Sequence, residues 1–87
     1  MNRPPTQTMR EIREVVREEP LMHRPILRAL ARGPRTVPEI AEAISRPTEE
    51  TLVWIMGLRR YGKVVELKDP TDDGYFRYSA VDTEARA

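Results

Sequence analysis

Thr36-Val37-Pro38-Glu39-Ile40-Ala41-Glu42-Ala43-Ile44-Ser45, then Arg46-Pro47, then Thr48-Glu49-Glu50-Thr51-Leu52-Val53-Trp54-Ile55-Met56-Gly57-Leu58-Arg59-Arg60-Tyr61-Gly62 is the stretch on which the fold turns. Thr36 and Glu39 stand at capping-box spacing, in which each side chain accepts a hydrogen bond from the other residue's backbone N–H. Val37, Ile40, Ala41 and Ile44 then recur at helical intervals, so a short helix opens here. Ser45-Arg46-Pro47 reads as a turn, and a longer helix runs from about Thr48 to Tyr61 before Gly62 stops it.

Toward the N-terminus, Gly33-Pro34 is a helix stop, and the helix before it is predicted to start near Pro25, with Ile26, Leu27 and Leu30 buried. His23 then precedes that helix. A further helix is predicted over 8–19, where Thr8 and Glu11 repeat the capping-box spacing, Met9, Ile12, Val15 and Val16 form an apolar stripe, and Pro20 closes the segment. Residues 1–7, with two prolines, read as a flexible tail. Beyond Gly62 the period changes to two: Val65 and Leu67 alternate with Val64, Glu66 and Lys68, and Phe76 and Tyr78 alternate with Tyr75, Arg77 and Ser79. Asp69-Pro70-Thr71-Asp72-Asp73-Gly74 joins them as the loop of a hairpin over 63–80, and 81–87 read as a second tail.

The whole is 87 residues, one domain over 8–80 with its helical core at 24–62. Fifteen basic residues against fourteen acidic leave a net charge of +1, which excludes a strongly basic or strongly acidic arm. The absence of cysteine excludes disulfides, thiolate metal sites and a thiol nucleophile, and His23 alone cannot supply a histidine metal cage. No carboxylate pair is accompanied by a nucleophile, a base or a phosphate loop, so no catalysis, metal or cofactor is expected. No apolar run reaches membrane-spanning length and the start has no signal-peptide pattern, so the expectation is a soluble, cytoplasmic protein without a membrane partner.

Helix, short helix, tight turn, longer helix and hairpin follow one another in the order of a winged helix-turn-helix. Residues 36–45 resemble the first helix of that motif. Thr48 to Leu58 with Arg59-Arg60-Tyr61-Gly62-Lys63-Val64-Val65-Glu66 resemble the second helix and the strand leading into the wing, and Phe76-Arg77-Tyr78-Ser79 the returning strand. The likeness is to bacterial and archaeal repressors of the arsenic-repressor and multiple-antibiotic-resistance-repressor kind, over residues 24–80. It implies an α+β fold of three core helices and a two-stranded wing, here with an extra N-terminal helix. It also implies a transcription regulator whose second motif helix enters the DNA major groove while the wing touches phosphate or the minor groove. Groove-facing positions would be Thr48, Glu49, Glu50, Val53, Gly57 and Arg60. The extra helix, with Met9, Ile12, Val15 and Val16, would support a homodimer.

A helical wheel centred on Ile55 places Thr48, Thr51, Leu52, Leu58 and Arg59 on the buried side. Glu49, Glu50, Val53, Gly57 and Arg60 fall opposite, flanked by Trp54, Tyr61 and Met56. Carboxylates repel a phosphate backbone, and Asp69, Asp72 and Asp73 add more at the hairpin loop. Each has a structural role as well, at a helix N-terminus or in a turn. Two readings follow. In one, duplex DNA is contacted by Arg46, Thr48, Arg59, Arg60, Lys63 and Arg77. In the other, a protein partner is held by Glu49, Glu50, Val53, Trp54, Gly57 and Tyr61, with Trp54 as a boundary anchor beside the gap at Gly57.

Overall fold

A computed structural model of the protein describes residues 11–81. The capping box forms as the spacing predicts: Thr36 Oγ1 accepts from the Glu39 N–H at 3.3 Å, and Glu39 Oε1 accepts from the Thr36 N–H at 2.9 Å. It opens α3 (Val37–Ile44), preceded by α1 (Ile12–Arg17), α2 (Glu19–Ala29) and β1 (Arg35–Thr36), and followed by α4 (Thr48–Arg60), β2 (Val64–Glu66) and β3 (Arg77–Ala80). Gly62, at φ 77, adopts the left-handed turn that ends α4, and the Lys63 N–H closes it onto the Leu58 carbonyl at 2.8 Å. The described residues form an α+β domain of four helices and one three-stranded antiparallel sheet.

The structure corrects the sequence expectations in the helices before α3 and in the hairpin. Pro20 does not close a helix but sits in the first turn of α2, where a missing N–H costs nothing, and Pro25 lies inside that helix rather than at its start. His23 is consequently a mid-helix residue. The predicted helix over 8–19 is shorter within the described residues: α1 ends at Arg17 and Glu19 already opens α2, while Thr8 and Met9 lie outside them. The hairpin gains a third strand: β3 lies between β1 and β2, with Arg35 opposite Tyr78 and Val65 opposite Ser79. A two-residue strand carries no period, so nothing in the sequence signalled β1.

The helices and sheet share one core, with Ile26, Leu30, Ile40, Trp54, Ile55 and Leu58 inside and Val64 and Tyr78 closing it from the sheet. Arg35 ties the end of α2 to the sheet, its Nε donating to the Ala29 carbonyl at 2.9 Å. No described helix is long and apolar enough to cross a membrane.

Candidate nucleic-acid interface

The orientation of α4 differs from the wheel centred on Ile55. Glu50, Thr51, Trp54, Ile55, Gly57 and Leu58 are its buried residues, whereas Thr48, Leu52 and Arg59 are exposed. The buried arc is therefore centred toward Trp54 and Leu58. The cause is α1, which packs on α4 and on α2 and so covers a second side of α4. Trp54 is 0% exposed, and its Nε1–H donates to the Val15 carbonyl at 2.7 Å. An indole in this position is a core residue and presents no face to a partner, which corrects its placement as a boundary anchor.

Gly57 and Glu50 are corrected with it. Gly57 leaves no gap, because the Glu19 carboxylate from α2 occupies the space where a side chain would project. Glu19 also pairs with His23 Nε2 at 3.1 Å, and the His23 ring meets Tyr61 edge to face at 6.1 Å. Glu50 is 1% exposed and faces inward. Of the expected partner-facing set, Glu49 and Tyr61 are exposed and Val53 is half-buried.

The outward side of α4 thus carries Thr48, Glu49, Leu52, Arg59 and Arg60, with Val53 and Met56 half-buried between them. One carboxylate stands there, not two. Lys63 follows the helix, and Arg77 and Lys68 are exposed on the hairpin. Arg60, Lys63, Lys68 and Arg77 make no ion pair with any described residue. Arg59 pairs with Glu66 across to β2 at 3.2 Å. An open cleft of about 450 Å³ separates the end of α4 from the hairpin, with Arg59, Lys68 and Phe76 among its walls.

Arg46 is drawn into structure. Its guanidinium lies 6.0 Å from the Trp54 ring centre and 3.9 Å from a Glu18 oxygen, bridging the α1–α2 junction to α4. On α1, Val15 is spent in the core, whereas Ile12 and Val16 are 53% and 48% exposed. The hairpin loop keeps Asp69, Asp72 and Asp73 in solvent. Among the described residues, no group of three or more acidic or histidine side chains is placed to hold a metal ion. Comparison with models of protein families, with curated proteins and with solved structures finds no match to this chain.

Proposed function

We propose that the chain is a winged-helix DNA-binding protein of the transcription-regulator class, acting in the cytoplasm, with α4 as its groove helix and β2–β3 as its wing. The observation that carries this is the outward side of α4. It is exposed, it has one carboxylate against Arg60 and the Glu66-paired Arg59, and it runs on into Lys63 and Arg77, which make no ion pair with any described residue. Thr48 at the helix start suits a base or phosphate hydrogen bond, and the arginines suit phosphate. The burial of Glu50 removes one of the two charges that weigh against groove docking.

The test is retention of duplex DNA across a salt series. Each phosphate contact contributes a slope of about −0.9 in log affinity against log salt. Arg60→Gln and Lys63→Gln together are expected to weaken binding and flatten the slope by about 2. No salt-sensitive retention at low ionic strength ends this reading.

A second reading rests on Leu52, 43% exposed with Val53 and Met56 beside it at the middle of α4. Apolar groups at that position read no base edge and suit a protein contact. On this reading Leu52→Asp leaves the fold intact and abolishes co-purification of the partner seen with the unaltered chain. For the homodimer, Ile12 and Val16 supply the remaining apolar surface of α1. Sedimentation over a concentration series is expected to show association that Ile12→Glu removes.

A further inference from the structure

Residues 20–38 contain four arginines and no aspartate or glutamate; all fourteen carboxylates of the chain lie outside this segment. α2 buries Met22 and Ile26 and turns Arg24 and Arg28 to solvent, four residues apart on the side opposite Ile26, and Arg32 is exposed in the turn that follows. The rise between Arg24 and Arg28 is about 6 Å. Arg35 is used otherwise, as the donor to Ala29. Arg24, Arg28 and Arg32 have neither a hydrogen bond nor an ion pair with any described residue.

Like charges one helical turn apart oppose each other. The negative C-terminal end of α2 accounts for Arg28 and Arg32 but not for Arg24, because that field fades within the last turn. Glu19 pairs with His23 and Glu39 closes the capping box, while Glu42, next to the Ala43 that shares a shallow cleft with Arg28, makes no ion pair with any described residue. Among the described residues the row is therefore a cationic surface with no ion-paired counter-charge. α2 and α4 pack on each other through the shared core, so their outward sides point away from it in different directions.

We propose that Arg24, Arg28 and Arg32 form a second phosphate-binding surface for duplex nucleic acid, separate from α4, so that one molecule joins two duplex segments. This rests on α4 and the hairpin holding the first. Guanidinium groups bind phosphate bidentately, and each strand of a duplex carries a charge about every 3.4 Å of its axis.

The experiment tethers one duplex to beads, adds the full chain, and measures capture of a second, labelled duplex of unrelated sequence at low salt. The wild-type chain is expected to capture it and to release it as salt rises. Arg24→Gln/Arg28→Gln/Arg32→Gln is expected to bind the tethered duplex and lose at least tenfold of the second capture, with an unchanged circular dichroism spectrum. If this variant captures like wild type, the proposal is overturned and the α4 reading stands. If it loses the tethered duplex too while Arg60→Gln/Lys63→Gln/Arg77→Gln binds normally, both the two-surface arrangement and the α4 reading fall. A wild-type chain that captures no second duplex, or one that yields it to poly-glutamate more readily than to free duplex, overturns the proposal, the latter in favour of an acidic protein on this row.

Discussion

Trp54 sets the rotation of α4 by what its two ends require. The ring needs apolar surroundings and the Nε1–H needs an acceptor, and the Val15 carbonyl supplies one only when α1 lies against that side. Trp54→Ala is expected to cost about 3–5 kcal/mol, a large share of the stability of so small a domain, as read from urea unfolding. Unaltered, its fluorescence should be blue-shifted and poorly quenched by iodide; a red-shifted, readily quenched emission would contradict its burial. Tyr78 gives a pH test. Burial foremost, then the Glu66 carboxylate, pushes its hydroxyl above the ordinary tyrosine value of 10.0, with Arg59 pulling the other way. The folded chain therefore holds this proton more tightly than the unfolded chain. The stability concerned is fully present below about pH 10 and is lost as pH rises beyond it. Urea midpoints are expected to fall over that range, and Tyr78→Phe to lessen the fall.

Local chemistry determined some elements and tertiary contacts overrode others. The Thr36–Glu39 box, legible from spacing alone, is expected to make Thr36→Ala cost about 1 kcal/mol in the urea midpoint. The prolines misled because each has two lawful places. Pro20 marks a beginning as readily as an end, and Pro25 is carried inside α2 although it gives up a backbone donor. The packing of Met22, Ile26 and Leu30 into the core supports that helix across the defect. At Gly57 the absence of a side chain is legible, but not that Glu19 would fill the space.

For the whole molecule, a net charge of +1 conceals separated faces: exposed cations beside α4, an arginine row on α2, and aspartates at the hairpin loop. If the hairpin approaches phosphate, Asp72→Asn/Asp73→Asn should tighten duplex binding, most strongly at low salt, as measured by anisotropy. Unchanged affinity would place the loop away from the backbone. The same separation makes composition a poor guide here, since opposing charges cancel in the sum and not on the surface.

The positions of α3 and α4 and the hairpin after them follow from local sequence, because caps, turns and periodicity act between residues a few positions apart. It also carried the cations and hydroxyl of the candidate interface, since their exposure follows from their chemistry. Which side of α4 remains outward is set by packing between distant elements. That choice depends on α1 reaching Trp54 from 39 residues away, and on Glu19 meeting Gly57, contacts that no local pattern encodes. Likewise β1 exists because β3 offers Arg35 and Thr36 a partner edge, and two residues acquire a strand only from the neighbour they pair with.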